Sequence, residues 1–149
     1  IAEQLTNNTL EEEWLTDEGV LATVLLLDQF PRMVYRGTAR AFQYDSLTAA
    51  LVRQSVENSK LLSNAYVTIQ RFFMCVALQH SEELEDQTLG VRLAAEITHD
   101  ASPDVQQYFN SLPGYPMEHH DVIVKFGRYP SRNYALGRAC TEEETAWMA

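Results

Sequence analysis

Asp17-Glu18-Gly19-Val20-Leu21-Ala22-Thr23-Val24-Leu25-Leu26-Leu27-Asp28-Gln29-Phe30-Pro31-Arg32-Met33-Val34-Tyr35-Arg36 decides the fold. Val20, Leu21, Val24, Leu27 and Phe30 recur at three- and four-residue spacing, the period of a helix face. Leu25 and Leu26 fill the other side. The pattern predicts a helix from an Asp17 cap through Phe30, buried nearly all round. Pro31 then breaks it, and Phe30, Arg32 and Arg36 make the spacing Phe-x-Arg-x-x-x-Arg. The same spacing returns 96 residues on, from Phe30 to Phe126, with Arg128 and Arg132 and with Gly127 as the breaker. These two segments and their tails hold six of the 11 Lys+Arg: Arg32, Arg36, Arg40, Arg128, Arg132 and Arg138. A fixed guanidinium has five donors to satisfy. Arginines gathered at helix exits in an acidic chain therefore have to meet carboxylates, carbonyls or a bound anion.

Working outward, residues 1–13 give a weak helical signal. Asp45 is placed to cap a second helix over 46–59, with Leu47, Ala50, Leu51 and Val56 inward. A third helix fits 64–79, its apolar face marked by Tyr66, Ile69, Phe72, Phe73, Val76 and Ala77. A fourth fits 82–98, capped by Ser81, with Leu84, Leu89, Val91, Leu93, Ala94 and Ile97 inward. Ser102-Pro103-Asp104 starts a short helix ending near Leu112. Pro113-Gly114-Tyr115-Pro116 breaks the chain, and another helix covers 117–127. Thr141-x-x-Glu144 is a capping box opening the last one. Strand signals are nearly absent. The expected architecture is all-α: one domain over 1–149, built as antiparallel helix pairs in an array of six or seven helices. The pairs recur at 30–40 residues, the size of a tetratricopeptide unit, although that repeat's own pattern is missing.

The chain has 149 residues, 46% of them hydrophobic, which suffices for one globular core. A net charge of −10 argues against direct nucleic-acid or anionic-membrane binding, because the far field repels phosphate. The longest apolar run, Val20 to Leu27, is too short to span a bilayer. Cys75 lies in an apolar run, where burial raises a thiol's pKa, and Cys140 in a loop. Two lone cysteines without Cys-x-x-Cys point to a reducing, intracellular compartment, cytoplasm or organelle matrix. The start at Ile1 suggests that a native beginning, and any address within it, is missing.

Three stretches are more specific than periodicity. They are Leu27-Asp28-Gln29-Phe30-Pro31-Arg32 with Arg36-Gly37-Thr38; His80-Ser81-Glu82 with Asp86-Gln87; and His119 through Phe126-Gly127-Arg128-Tyr129-Pro130, Arg132-Asn133 and Leu136-Gly137-Arg138. Together, over Trp14 to Ala149, they resemble the DUF924 family, mostly bacterial proteins of unknown function. The resemblance implies a tetratricopeptide-like, all-helical fold. Three features depart from the family. Met33 stands where Asn is usual, Gln79 replaces a Glu, and an N-terminal segment with a Trp-Phe pair has no counterpart. The last departure implies an absent start or a partner covering the gap.

Each candidate chemistry has a structural reading beside it. Glu82 and Asp86 sit four residues apart, on one face of the expected helix, with His80 in the turn before. They could hold a divalent metal or act as an acid/base pair. The preferred reading is that Ser81 caps, Glu82 favours the positive helix end and Asp86 pairs with a motif arginine. Arg32, Arg36, Arg128 and Arg132 could converge on a phosphate or carboxylate ligand. The preferred reading bonds them to Asp28, Glu82, Asp86 and loop carbonyls. In His119-His120-Asp121 only one histidine can face inward. His119 shares its side with Val122, Ile123 and Phe126, and is a lesser ligand or general-base candidate. Neither a nucleophile elbow nor a Gly-rich phosphate loop is present. No metal or cofactor is expected.

Three functions follow as expectations. The first is a helical-repeat scaffold or interaction domain with a protein partner, a basic one given the acidic charge, as a subunit within a larger assembly. The second is a hydrolase, metal-assisted or acid/base, using His80, Glu82, Asp86 and His119. The third is a small-anion module built on the arginines. The sequence favours the first and leaves the oligomeric state open.

Overall fold

The computed structural model describes residues 1–7, 9, 11–58, 65–111 and 115–149. All regular structure among them is helical. A short α1 (Ala2–Thr6) and a 3-10 turn (Glu12–Leu15) lead into α2 (Asp17–Val24). A π-helical turn (Leu25–Gln29) continues that rod into α3 (Phe30–Val34). Then follow α4 (Asp45–Glu57), α5 (Thr68–Gln79), α6 (Leu84–His99), α7 (Pro103–Ser111), α8 (Tyr115–Phe126) and α9 (Glu142–Met148). The all-helical expectation holds. With α2 to α3 counted as one rod, the seven expected helices are present, preceded by α1. The expected helix ends at Leu112, at 59 and at 64, and the Pro113-Gly114 break, lie outside the described residues.

The core sits where α2, α4, α5 and α6 meet. Val20, Val24, Ala49, Val52, Met74, Ala77, Leu78, Leu93 and Ile97 pack there with almost no solvent contact. Two glycines set how closely the rods approach. A Cβ on Gly19 would lie 2.6 Å from the Cα of Trp14. One on Gly90 of α6 would lie 3.2 Å from Cγ of Gln79 and 3.4 Å from Cβ of Leu78 on α5.

Several expectations are corrected. Thr16, not Asp17, caps α2, its Oγ1 accepting from Gly19 N at 3.1 Å. Asp45 does not cap α4; it is the first residue of that helix, after Tyr44. The buried face of α4 is Asp45, Thr48, Ala49, Val52 and Ser55, while Ala50 is exposed and Leu47, Leu51 and Val56 are half-buried. On this face two arginines hold the Asp45 carboxylate inward, beside the core residues Ala49 and Val52. Ser81 does not cap α6 either: its Oγ accepts from Glu83 N at 3.1 Å in a turn, and α6 begins at Leu84. Leu84 and Ile69, expected inside, are exposed at helix starts. Tyr115 and Pro116 belong to α8 rather than to the break; a proline in the first turn loses no intrahelical bond. The Thr141–Glu144 capping box is formed in both directions.

The π turn matters most. Phe30 N bonds Leu25 O, five residues back instead of four. The extra residue rotates everything beyond it. Phe30, expected inward, is 53% exposed, while Asp28 is 0% exposed.

Candidate functional site

Asp28, on the π turn, faces the start of α4 and the exit of α5. Its Oδ1 accepts from His80 Nδ1 at 2.7 Å and its Oδ2 from Gln29 Nε2 at 2.6 Å. Arg32, one helical turn on, lies 3.2 Å from Oδ1 and also donates to the Asp28 carbonyl at 2.9 Å. The Arg32 guanidinium then grips Asp45 with two parallel bonds of 2.9 and 2.8 Å. Arg132 reaches the same carboxylate from the far end of the chain, Nη1 to Oδ2 at 3.0 Å. Its guanidinium lies between two rings, 4.6 Å from the Phe42 centroid and 4.3 Å from that of Tyr129. Aromatic faces attract a cation that has lost water on both sides.

Burial opposes a charge on Asp28, but the His80 bond and the positive charges of His80 and Arg32 outweigh it, holding the carboxyl below its ordinary value. At Asp45 burial wins and raises the carboxyl, although two guanidiniums pull the other way. Burial likewise lowers Arg132, against the pull of Asp45.

A second group adjoins the first through Tyr129. Arg138 binds Glu82 with bonds of 2.6 and 2.9 Å and donates to the Tyr129 carbonyl at 3.0 Å. Tyr129 N donates to Glu82 Oε1 at 2.8 Å. Burial would raise Glu82, but these bonds hold it below its ordinary value. The Tyr129 hydroxyl donates to the Gln79 carbonyl, and Gln87 Nε2 contacts that hydroxyl at 2.8 Å and the carbonyls of Gln79 and Ser81 at 2.7 and 2.6 Å. His119 stands edge-on to the Tyr129 ring, 5.8 Å between centroids. A third group closes the C-terminal end. Arg128 binds Glu144 at 2.6 and 2.8 Å, Asn133 adds 3.2 Å, and Thr141 N adds 2.8 Å. Chiefly through Arg128, Glu144 is held at about 2.

The structure thus gathers Asp28, Arg32, Arg132 and His80 around Asp45, with Glu82 and His119 joined to them through Tyr129. Arg128 stands apart on Glu144. Arg36 is exposed and has no ion pair among the described residues. The two Phe-x-Arg-x-x-x-Arg motifs are alike in spacing but not in use: the first arginine of one meets the second of the other. Glu82 and Asp86 do not share a helix face, since Glu82 precedes α6. Asp86 is paired instead with Arg53 of α4. Among the described residues no group of three His, Cys, Asp or Glu side chains is placed to hold a metal ion. Burial, the larger effect, and the charge of Glu96 push the Cys75 thiol up to about 12.

Sequence reasoning missed Asp45, Glu144 and Tyr129 as members of these groups. In the sequence the acids read as a helix cap and part of a capping box. Tyr129 carried one signal, its position between Arg128 and Arg132.

Fold and site together define an all-helical protein in which most motif arginines join buried and half-buried ion-pair groups. Residues 1–149 match the model of the DUF924 family, bacterial protein of unknown function, and the chain belongs to that family. It is also similar to a solved structure, the protein of unknown function ATU0120 from Agrobacterium tumefaciens. The TM-score is 0.75 at 27% identity, covering 99% of this chain and 76% of the other. No curated protein matches it. Among the described residues no helix is long and apolar enough to cross a membrane.

Proposed function

We propose that this chain is a protein-interaction domain, a subunit of a larger assembly in a reducing compartment, whose motif arginines tie the helices together. One observation carries the reading. Arg32, Arg128, Arg132, Asp28, Glu82 and Asp86 are engaged by partners inside the protein, while an apolar ridge on the motif helix faces solvent. Phe30, Met33 and Val34, at i, i+3 and i+4 of α3, are 53%, 75% and 66% exposed. Large apolar side chains exposed side by side, rather than singly, are a feature of interaction sites. The hydrolase reading has less support, because Arg138 and Arg53 draw Glu82 and Asp86 to different places. The anion reading has less support too, because Asp45 and Glu144 take up Arg32, Arg132 and Arg128.

A photoreactive residue at position 33 tests the proposal, with position 118 on α8 as the control. In native extract a discrete adduct at 33, absent at 118, is expected. Equal or absent adducts at both positions would remove the interaction reading.

A further inference from the structure

We propose, resting on the interaction reading, that the α3 ridge takes an acidic segment of a partner protein that carries large apolar anchors. Beside the ridge lies a groove of about 240 Å³, lined among others by Leu26, Phe30, Val34, Tyr35, Tyr44 and Arg40. Its volume suits side chains rather than a whole domain, and its walls mix apolar and aromatic side chains with the polar Arg40 and Gln43.

Charge selects the partner. Residues 29–44 contain no Asp or Glu, although the chain has 21. The acids at either end of that stretch, Asp28 and Asp45, are buried and bound by Arg32 and Arg132. Within that stretch the exposed charged side chains are Arg36 and Arg40, both positive. Neither has an ion pair among the described residues. The Arg40 guanidinium is stacked 3.8 Å from the Tyr35 ring centroid, which holds its planar fork at the groove edge. Such a fork receives a carboxylate with two bonds.

The net charge of −10 does not forbid this, since at about 0.15 M salt charges beyond about 8 Å are screened. The two local arginines then govern a short segment. A nucleic-acid strand presents phosphates without the apolar anchors that the ridge needs. A second copy docked through this patch about a two-fold axis would bring its own Arg36 and Arg40 into the same interface, adding like charge.

The probe is a short fluorescein-labelled peptide rich in Glu, with Leu and Trp anchors four residues apart; its Gln counterpart is the control. Binding is read by fluorescence anisotropy, with melting temperatures confirming that each variant is folded. The Glu peptide is expected to bind, and the Gln peptide to bind more weakly. The double variant Arg36→Glu/Arg40→Glu should weaken the Glu peptide about tenfold, the result of turning two exposed attractions into repulsions. Met33→Asp should weaken both peptides, and added salt the Glu peptide alone. Equal binding of the two peptides, or an unaltered double variant, would overturn the acidic assignment. So would sedimentation showing self-association that Met33→Asp abolishes, since a second copy would then occupy the ridge. If neither peptide binds while position 33 still cross-links a partner, the acidic chemistry is wrong and the interaction reading stands. If position 33 cross-links nothing, the interaction reading itself falls.

Discussion

At the scale of single residues, Asp45 decides most. It is a buried carboxylate held by three bonds from two guanidiniums. Removing one partner of such a group leaves charge uncompensated out of water, at a cost of about 3–5 kcal/mol. Arg132→Met is therefore expected to lower the unfolding free energy by that amount in urea titration. Replacing Asp45 and Arg132 together by apolar residues of similar size should cost far less, because Arg32 stays paired with Asp28 and no lone charge remains. Arg36→Ala, out in solvent, should stay within about 0.5 kcal/mol of the parent. An Arg36 effect as large as that of Arg132 would mean the ties are wrongly assigned. The arginines themselves were legible in the sequence, because few cations sit in an acidic chain and six of the 11 lie in two matching motifs and their tails. Their partners were not. Asp45 precedes a helix and reads as a cap, and nothing local announces a cation 87 residues away. Glu82 and Asp86 read as a pair only because helix spacing was assumed across a turn.

At the scale of elements, helix existence was legible and helix rotation was not. Apolar periodicity registers a rod, but it assumes 3.6 residues per turn throughout. The π turn at Leu25–Gln29 violates that assumption once, and Phe30 changes sides. Likewise, α4 turns its Thr48 and Ser55 inward, a face that hydropathy alone would reject. Cap chemistry was legible where it was local, as at Thr141 and Glu144. Thr141→Ala is expected to cost about 1 kcal/mol, read as a fall in melting temperature. Gly19 is the tightest element contact. Its Cβ would lie 2.6 Å from the Trp14 Cα, which is backbone and can yield only if the preceding turn moves. Gly19→Ala should lower stability by about 1–3 kcal/mol despite alanine's better helix propensity. A stabilised Gly19→Ala protein would show that the turn before α2 does not hold its place.

At the scale of the molecule, the all-helical class followed from the lack of alternation and hairpin signals, whereas the assembly of ion pairs followed only from coordinates. Those pairs give stability a definite acid dependence. A carboxyl whose folded value lies below its unfolded one contributes stability above the unfolded value and loses it as pH falls through the folded one. Asp28, Glu82 and Glu144 are of this kind, with Glu144 falling from 4.5 to about 2. Asp45, raised from 3.8, works in the opposite sense, and it is one group against three. The melting temperature should therefore decline as pH drops from about 4.5 toward 2. Glu144→Gln should be less stable at neutral pH and show a shallower acid decline. A parent with a flat profile over that interval would contradict this account.

Sharing Asp45 between Arg32 and Arg132 also bears on synthesis. A ribosome making about 5–20 residues per second needs roughly 4–17 s to travel the 87 residues separating that acid from its second cation. Until then Asp45 has the two bonds from Arg32 and lacks the one from Arg132. Nascent chains stalled short of residue 132 should be cut readily by protease, and chains released beyond the last helix should resist.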